Sequence, residues 1–346
     1  MQHVTLGRSG PSVSALCLGT MTWGNQTGEA DAHAQIDLAL DHGIDFIDTA
    51  EMYPVNPVRA ETIGRTEEII GRWIARGGRR DRWVLATKIA GKDGQARGGE
   101  PVSGAAIRRA LEASLRRLGT DHVDLYQIHW PNRGSYHFRQ WWSYDPSGRD
   151  WARIRDEMAE CLATIAALVA EGRIRHWGLS NETAWGMAEW LRLAGAGIGP
   201  RPVSIQNEYS LLNRQYDTDL AELGAAEDVT LMAYSPLATG LLTGKYQGDV
   251  IPPGSRRSLN QTLSGRITPR VWGAIEACHR VAADAGIDPA QMAIAWVMAR
   301  PFAAVPILGA TTRAQLAHAL GAAGLRLGAD VQAALGAAHK ANPMPY

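Results

Sequence analysis

The sequence predicts an α/β fold, a (β/α)8 TIM barrel with an N-terminal β-hairpin and extra helices on its C-terminal side. Short apolar runs alternate regularly with longer amphipathic stretches, eight such units fit in the chain, and no linker or low-complexity tract divides them. Regular alternation of strand and helix favours a parallel sheet, and eight units favour its closure into a barrel. We therefore expect residues 1–346 to form a single domain.

The eight apolar runs are the predicted strands of the barrel, and they comprise residues 15–18, 46–47, 84–87, 123–128, 174–179, 203–205, 230–233 and 304–308. The amphipathic stretches are the predicted helices, and they comprise residues 29–42, 61–76, 103–118, 156–171, 183–193, 217–227, 288–299 and 312–320. Strands separated by helices in this way are typical of βαβ units.

Residues at the expected helix ends support these boundaries. Ser103 and Asp217 stand where their side chains can accept a hydrogen bond from a free backbone N–H at a helix start. Pro289 stands at the first position of another helix, where its missing N–H is harmless. Gly43 and Gly172 follow two helices and are typical of helix ends.

Five segments fall outside the repeat. Residues 2–14 are predicted to form a hairpin around a Gly-Pro pair, and 269–285 and 328–340 to form additional helices. Residues 130–152 form an aromatic-rich loop after the fourth strand, and 238–268 a Gly/Pro/Ser-rich loop after the seventh. Long structured loops in a compact domain usually serve function.

Composition argues against several classes of protein. Lys+Arg and Asp+Glu each number 35, so the basic excess typical of a nucleic-acid-binding protein is missing and no nucleic acid is expected as a partner. No apolar run approaches the ~18 residues of a membrane span, and residues 1–14 lack a signal-peptide pattern, so we expect a cytoplasmic protein without a membrane partner. Cys17, Cys161 and Cys278 are few and far apart, which favours reduced core cysteines over disulfides or a metal site.

Polar residues end strand after strand, and in a barrel of this type the catalytic groups lie at that end. The residues at or just past the predicted strand ends are Asp48, Lys88, His129, Asn181, Gln206, Tyr234, Ser235 and Gly309, and all but Gly309 have polar side chains. Packing of the core alone would not require polar side chains there.

Asp48, Tyr53, Lys88 and His129 are the residues that we expect to carry chemistry. A free tyrosine has a pKa of about 10, which is too high for an efficient acid near neutral pH. A neighbouring ammonium lowers that pKa, and Lys88 would supply this charge. Asp48 would keep Lys88 charged through an ion pair, and His129 would hydrogen-bond the carbonyl oxygen of a substrate.

Each of these four residues also has a purely structural interpretation. Tyr53 could be an ordinary loop residue, Lys88 a solvated strand end, and His129 a satisfied core histidine. Asp48 could cap the following turn. Their joint occurrence at or just after three successive strands favours the catalytic interpretation.

The ordered motif set resembles the aldo-keto reductase superfamily, and within it the bacterial Tas-like branch. The segments that carry the resemblance are Gly19–Met21, Phe46–Tyr53, Ala86–Lys88, Asp124–Trp130, Gly178–Asn181, Gln206-Asn207, Tyr234–Leu237 and Leu242–Tyr246. Ala50–Pro54 and Gly309–Thr312 are the segments most similar to the Tas-like branch.

The resemblance implies an NADPH cofactor lying across the barrel mouth, with NADH as the alternative. The positions that match cofactor-binding residues of the family are Thr20, Met21, Asp48, Ser180, Asn181, Gln206, Tyr234, Ser235, Pro236, Leu237, Gly240, Lys245, Ser255, Arg256, Gly309, Thr311, Arg313 and Gln315. By this resemblance, Ser180, Asn181 and Gln206 hold the carboxamide, and Tyr234 stacks on the nicotinamide ring.

The same resemblance places Ser235, Leu237 and Lys245 at the pyrophosphate, with Ser255 and Arg256 near phosphate. Solvated loop charge is the alternative for Lys245 and Arg256, and helix capping the alternative for Ser180 and Asn181.

One motif departs from the family pattern, which usually ends in Glu-Asn on the adenine side. Gln315 is kept, but His318 and Ala319 occupy the last two places. Arg313 is a candidate for a 2′-phosphate, and the preference for NADPH over NADH rests on the family resemblance.

A small-molecule carbonyl substrate is expected to contact Trp23, Tyr53, His129 and Trp130. The loop that follows the fourth strand adds further aromatic residues, which are Tyr136, Trp141, Trp142 and Tyr144. An aromatic-lined pocket suits aromatic or aliphatic aldehydes and ketones. The alternative is that these loop residues pack the loop onto the barrel or form a subunit contact, which would make the chain a homo-oligomer.

Two other functions compete with carbonyl reduction. The first is a cofactor-binding regulatory or scaffold protein with little turnover, since potassium channel β subunits share this architecture. The second is a barrel hydrolase with a carboxylate pair, for which Asp48 and Glu51 are the candidates.

Overall fold

The computed structural model describes residues 1–77 and 80–346. The chain begins with an antiparallel hairpin of β1 (His3–Thr5) and β2 (Ser12–Ser14), in which Val4 lies opposite Val13. Backbone hydrogen bonds from Leu6 to Pro11 and from Gly10 to Leu6 close its turn. The hairpin predicted for residues 2–14 is confirmed.

Eight parallel strands form a closed barrel, in which the last strand pairs with both the first and the seventh. The strands are β3 (Cys17–Gly19), β4 (Phe46–Asp48), β5 (Val84–Ile89), β6 (Val123–Ile128), β7 (Ile174–Ser180), β8 (Ser204–Glu208), β9 (Thr230–Tyr234) and β10 (Ala304–Gly309). Each overlaps the run predicted for it, and the (β/α)8 barrel is confirmed.

Helices surround the barrel and follow its strands. They are α1 (Glu29–Asp41), α2 (Arg65–Gly77), α3 (Gly104–Leu118), α4 (Trp151–Ala170), α5 (Ala184–Gly195), α6 (Asp219–Glu227), α7 (Arg256–Leu259), α8 (Val271–Asp284), α9 (Pro289–Met298), α10 (Arg313–Leu320) and α11 (Ala329–Ala341). Short 3-10 segments lie at Ala60–Thr62, Arg80–Arg82, Ala96–Gly99, Gln215–Asp217, Ala238–Thr243, Gln247–Asp249 and Gly321–Gly324. The single-turn helix α7 was not predicted.

Most of the helix-end signals are confirmed. Ser103 accepts a hydrogen bond from Ala106 N, and Asp288, just before Pro289, accepts from the next two free N–H groups of α9. Asp217 is a correction, because Thr218 precedes α6 and makes no side-chain cap. The carboxylate of Asp217 is already bonded elsewhere, by the Tyr209 hydroxyl at 2.5 Å and by a nearby arginine.

The hairpin seals the end of the barrel away from the strand C-termini. Leu6 and Val13 are fully buried and pack with apolar side chains of the strands, such as Phe46, Leu125 and Met232. The bottom of the barrel is therefore an apolar core, which leaves polar residues to the opposite mouth. Within the described residues, no helix combines the length and apolarity that a membrane crossing requires.

Candidate active site

The register of three neighbouring strands brings the predicted site residues together. Asp48 ends β4 and pairs with Ala86 of β5, so Lys88 lies two residues further along β5 and on the same face. Lys88 in turn pairs with Gln127 of β6, and His129 follows that strand directly. Backbone pairing alone thus sets these side chains side by side at the barrel mouth.

Lys88 and Asp48 form a fully buried ion pair. Lys88 Nζ donates to Asp48 Oδ2 at 2.6 Å and to the Thr49 carbonyl at 2.7 Å. Asp48 Oδ1 accepts from Gln127 Nε2 at 3.0 Å and from Gln206 Nε2 at 2.9 Å, so both carboxylate oxygens have partners. Burial alone would lower the pKa of Lys88, but the Asp48 carboxylate outweighs it and the pKa is raised. Lys88 is therefore held as an ammonium ion.

Tyr53 lies in the loop after β4, with its ring centroid 5.0 Å from Lys88 Nζ. Burial raises the pKa of Tyr53 above its ordinary value, and the Lys88 charge only partly offsets that effect. We expected the Lys88 charge to lower the pKa of Tyr53 below its ordinary value. That prediction is wrong in direction, because burial raises the pKa by more than Lys88 lowers it. The consequence is a phenol that stays fully protonated near neutral pH and carries a proton to give.

His129 is the third group of the pocket, with its ring 5.9 Å from that of Tyr53 at an angle of 76°. Burial, with a further contribution from Lys88, holds the pKa of His129 well below its usual range. Its Nδ1 is buried and has no hydrogen-bond partner among residues 1–77 and 80–346. Asn181 Nδ2 donates to the His129 carbonyl at 2.9 Å and fixes this segment to the end of β7. His129 is thus a neutral imidazole with hydrogen-bonding capacity to spare.

Glu51 is engaged elsewhere and does not form a pair with Asp48. Its Oε1 accepts from the backbone N–H of Ala90 at 2.6 Å and from the guanidinium of Arg97. A hydrolase of the carboxylate-pair type needs two acids facing one bond, and this arrangement removes one of them. Among residues 1–77 and 80–346, no group of three or more His, Cys, Asp or Glu side chains could hold a metal ion.

Comparison with known proteins identifies the family. The model of the aldo/keto reductase family matches residues 15–339. The chain belongs to the aldo/keto reductase family. Protein tas of Escherichia coli (strain K12) is 42% identical over 351 aligned residues, which cover 100% of this chain and 99% of that protein.

Two further relatives extend the comparison. An uncharacterized oxidoreductase of Bacillus subtilis (strain 168), YrpG, is 36% identical and covers 96% of this chain and 94% of its own length. A probable voltage-gated potassium channel subunit beta of Arabidopsis thaliana is 31% identical and covers 91% of this chain and 89% of its own length. This aldo/keto reductase is an NAD(P)H-dependent oxidoreductase.

The aldo/keto reductase residues predicted to hold the carboxamide form one hydrogen-bonded group. Ser180 Oγ donates to the Gln206 carbonyl at 2.9 Å, and Tyr234 OH donates to Asn181 Oδ1 at 2.7 Å. The structure assigns the cap of α5 to Thr183, whose side chain accepts from Gly186 N. Ser180 and Asn181 therefore do not cap that helix.

Two predicted cofactor residues that follow β3 form hydrogen bonds with backbone groups next to the site. Thr20 is fully buried and its Oγ1 donates to the Asp48 carbonyl at 2.9 Å. The carbonyl of Met21 accepts from Val55 N at 2.9 Å, which ties it to the segment that follows Tyr53.

The loop after β9 turns sharply just past the end of the strand. Ser235 has a φ of 54° and Gly240 a φ of 98°. The left-handed conformation of Gly240 favours glycine, whereas the atom nearest to a Cβ there, Lys245 Cε at 2.8 Å, belongs to a flexible side chain that can move away. Backbone N–H groups of Gly240 and Leu242 both donate to the Leu237 carbonyl, just after the buried Pro236, and close the turn. Lys245 itself is exposed, with Nζ 5.1 Å from the centroid of the Tyr246 ring.

Ser255 and Arg256 retain unused hydrogen-bonding and charge capacity. Within the described part of the chain, Ser255 Oγ is buried and has no hydrogen-bond partner. Burial and the nearby charge of Arg266 lower the pKa of Arg256 to about 10. A hydroxyl with free hydrogen-bonding capacity, next to a guanidinium whose charge is disfavoured by its surroundings, fits an anionic group such as a cofactor phosphate.

Arg257, the next residue, is used by the fold instead. It is buried, and its guanidinium donates to the carbonyls of Gln261 at 3.2 Å and Val250 at 3.1 Å. Asp249 provides its counter-ion. Two adjacent arginines thus differ completely in their surroundings, which the sequence does not reveal.

The predicted adenine-side residues lie on the rim after β10, where Gly309 ends the strand. Gln315 Oε1 accepts from both the N–H and the hydroxyl of Thr311, at 3.0 and 2.9 Å. Arg313 is exposed. The imidazole of His318, at the departing position of the motif, lies 3.1 Å from the Asp288 carboxylate at the start of α9.

Trp23 is a correction among the predicted substrate residues. Its side chain is fully buried and belongs to the hydrophobic core. A residue without accessible surface at the mouth offers nothing for a substrate to contact, so we assign Trp23 to packing.

Trp130 and the unpredicted Phe138 form an aromatic wall beside the pocket. The Trp130 ring lies 5.0 Å from that of His129, and its Nε1 donates to the Lys92 carbonyl at 2.9 Å. The Phe138 ring meets that of Trp130 edge to face with 6.1 Å between the ring centroids, and the residue is 42% exposed.

The other loop aromatics have different surroundings. The rings of Tyr136 and Tyr144 contact each other with 6.2 Å between their centroids, and the ring of Trp141 packs against that of Tyr346 with 6.4 Å between centroids. Trp142 is largely exposed and lies within 5.9 Å of the Arg270 guanidinium. Trp141 therefore packs the loop onto the barrel.

Sequence reasoning assigned no role to Gln127 or Glu208. Gln127 shares the inward face of β6 with the neighbouring His129, and Glu208 shares that of β8 with Gln206. Alternation along a strand was the available signal for both.

Proposed function

We propose that this chain reduces an aldehyde or ketone to the corresponding alcohol with NADPH as reductant, and that Tyr53 donates the proton. The observation that carries this proposal is the fully buried Lys88 ammonium, 2.6 Å from Asp48 Oδ2 and 5.0 Å from the Tyr53 ring. Desolvating a lysine at this cost is explained if its charge stabilises a phenolate formed beside it.

The steps assigned to the protein are binding, orientation and proton transfer. The substrate carbonyl oxygen accepts hydrogen bonds from the Tyr53 hydroxyl and the neutral His129 imidazole. A nicotinamide cofactor, when bound, supplies the hydride that adds to the carbonyl carbon. Tyr53 passes its phenolic proton to the carbonyl oxygen, which completes the alcohol. Lys88 stabilises the resulting phenolate, and Asp48 keeps Lys88 charged and in place.

Residues of three strand ends and one loop would hold the cofactor. Ser180, Asn181 and Gln206 would bind its carboxamide, and the Tyr234 ring would contact the nicotinamide. Ser255 and Arg256 would bind phosphate, as would Ser235, Leu237 and Lys245 in the loop after β9. NADPH is proposed over NADH, and titration with each dinucleotide distinguishes them.

The substrate class follows from the wall beside the pocket. Trp130 and Phe138 present aromatic surface next to His129. Such a wall favours carbonyl compounds with an aromatic or aliphatic substituent. We therefore choose 4-nitrobenzaldehyde as the test substrate.

The substitution Tyr53→Phe tests the proposal. Loss of the acid should reduce kcat for 4-nitrobenzaldehyde by roughly 10²–10⁴-fold, while nicotinamide fluorescence reports unchanged NADPH binding. Tyr216→Phe removes the hydroxyl of another buried tyrosine, which packs next to Gly224 of α6, and serves as the control. Unchanged turnover in the Tyr53 variant would reject Tyr53 as the proton donor.

A cofactor-binding regulatory protein is the second candidate, favoured by the potassium channel subunit beta among the relatives. Tight NADPH binding without turnover of any carbonyl in a broad panel would support it over the reductase.

A further inference from the structure

A second buried carboxylate, Glu208, lies at the mouth of the barrel outside the catalytic group. It ends β8, two residues after Gln206, and strand alternation turns both side chains to the same face. In the sheet it pairs with Tyr234, the residue proposed to contact the nicotinamide. Glu208 is 4% exposed, so its charge must be compensated by the protein.

The compensation comes from both long loops. Arg266, near the end of the loop after β9, donates through Nε to Glu208 Oε1 and approaches Oε2 through its terminal nitrogen, both at 2.8 Å. Arg139, in the aromatic loop after β6, donates to Oε2 at 3.1 Å. The Tyr346 hydroxyl adds a hydrogen bond to Oε1 at 3.3 Å. One carboxylate therefore joins two loops that are otherwise distant in sequence.

We propose that Glu208 is a positioning residue that couples the cofactor loop, residues 238–268, to the aromatic loop, residues 130–152. Cofactor binding to the first loop strengthens the ordering of the second, and hence the binding of substrate. This inference rests on the proposed function, because it assigns phosphate to the loop after β9 and substrate to the aromatic loop.

Charge shows how the cofactor loop would act on Glu208. Two guanidinium groups face a single carboxylate, which leaves an excess of positive charge in a buried place. The positive charge of Arg266 also disfavours the charged form of Arg256. An anionic phosphate at Arg256 neutralises this repulsion and stabilises Arg266 in its contact with Glu208. Although burial raises the pKa of Glu208, Arg266 and Arg139 together lower it, so Glu208 stays ionised throughout.

The aromatic loop is anchored at every second residue. Ser135 Oγ donates to the Asn181 carbonyl at 2.9 Å, and His137 Nε2 to the Glu182 carbonyl at 3.0 Å. Arg139 is the third anchor. The first two anchors bind the backbone of the barrel rim, so Arg139 is the one among these three that responds to the cofactor loop.

The Arg139 anchor controls Phe138, which forms the outer part of the aromatic wall. Phe138 and Arg139 both have left-handed backbone conformations, with φ of 59° and 66°. Two consecutive non-glycine residues in this region are strained and persist only where surrounding contacts hold them. Release of Arg139 would let the segment relax and would remove Phe138 from Trp130.

Hydrogen exchange with NADP⁺ alone tests the coupling without any catalysis. In the unaltered protein, NADP⁺ should slow exchange both in residues 238–268 and in residues 134–144. In Arg139→Met, protection of the first segment should remain while that of the second is lost. Arg139→Lys keeps a positive charge for Glu208 and should restore part of the NADP⁺-dependent protection of residues 134–144. Persistence of both responses in Arg139→Met would overturn the proposal.

Arg133→Met is the matched control. Arg133 anchors the same loop through a buried pair with Glu182, which lies just after β7 and not in the cofactor loop. Loss of the Arg133 side chain should speed hydrogen exchange in residues 134–144 by the same factor with and without NADP⁺. The slowing of exchange that NADP⁺ causes should therefore remain. Loss of that response to the same degree as in Arg139→Met would show general loosening of the loop and would reject coupling through Glu208.

Kinetics give a second readout. Arg139→Met should raise KM for 4-nitrobenzaldehyde about tenfold, within the usual range of coupling between sites, and change kcat less than about twofold. A fall in kcat with constant KM would contradict a positioning role. Failure of NADP⁺ to bind the unaltered protein would instead refute the proposed function, so the two failures are distinguishable.

Discussion

Asp48 and Glu208 are both buried carboxylates at the mouth of the barrel, and they differ in the origin of their partners. Each ends a barrel strand and each contacts a cation. The partner of Asp48 is Lys88, carried by the adjacent strand, whereas those of Glu208 are Arg139 and Arg266, carried by long loops. The first pair is held rigidly by backbone hydrogen bonds and the second depends on how the loops are arranged.

This difference suggests a division of labour. Proton transfer requires groups placed to within fractions of an ångström, which neighbouring strands provide. Response to a ligand requires an element whose arrangement the ligand can bias, which loops provide. Four experiments can break or sharpen the comparison.

Lys88→Met should have the largest effect. It leaves Asp48 as a buried charge without a counter-ion, so we expect the free energy of unfolding to fall by about 3–5 kcal/mol. Turnover of 4-nitrobenzaldehyde should fall by roughly 10²–10⁴-fold because Tyr53 loses the cation that stabilises its phenolate. Urea denaturation and steady-state kinetics measure the two effects.

The corresponding change at Glu208 is Arg266→Met, which leaves Arg139 in place as a counter-ion. Its stability loss should be smaller, about 1–3 kcal/mol, and its turnover loss smaller than that of Lys88→Met. Equal losses of turnover in both variants would end the distinction between the two carboxylates. The double variant Asp48→Asn/Lys88→Met should regain stability and stay inactive.

Adjacent arginines in the cofactor loop allow a finer test. Arg256→Met should weaken NADPH binding by about 10–100-fold, which corresponds to the loss of one charge-assisted hydrogen bond. Arg257→Met should instead lower Tm with little change in NADPH affinity, because Arg257 bonds the backbone of its own loop. Fluorescence titration and thermal unfolding of both variants separate the roles, and an exchange of the two phenotypes would refute the assignment of Arg256 to phosphate.

The pH profile should show the smallest effect. Reduction requires protonated Tyr53 and is lost only as pH rises through its pKa, which burial places above about 10. His129 has a pKa well below 6.5 and stays neutral at higher pH. We therefore expect kcat at saturating NADPH to vary less than about twofold between pH 7 and 9. A descending limb centred below pH 9 would show that Lys88 outweighs burial after all.

Periodicity in the sequence was sufficient for most of the fold. The apolar runs of the eight strands and the patterns of the helices are local signals, and each strand lies where it was predicted. Asp217 failed as a cap because its carboxylate had a stronger partner in Tyr209, which a local pattern does not contain. The extra turn of α7 has only four residues, too few to show a helical period.

The proximity of Asp48, Lys88 and His129 also followed from sequence, because parallel strands of a barrel end at the same rim. Tyr53 was selected with them because it lies just after the second barrel strand, although a loop tyrosine taken alone carries no catalytic signal, and the family resemblance supported that choice. Glu208 could have been inferred from its alternation with Gln206, but its partners could not.

The sequence by itself determined the barrel, the order of its elements and the identity of the polar residues at the mouth, because these depend on patterns within a few residues. Tertiary structure decided the burial of Trp23, the direction of the Tyr53 pKa and the difference between Arg256 and Arg257. It also decided that Arg139 and Arg266 meet on one carboxylate. Burial and long-range ion pairs depend on how segments from distant parts of the chain pack around each side chain, and no local pattern encodes that packing.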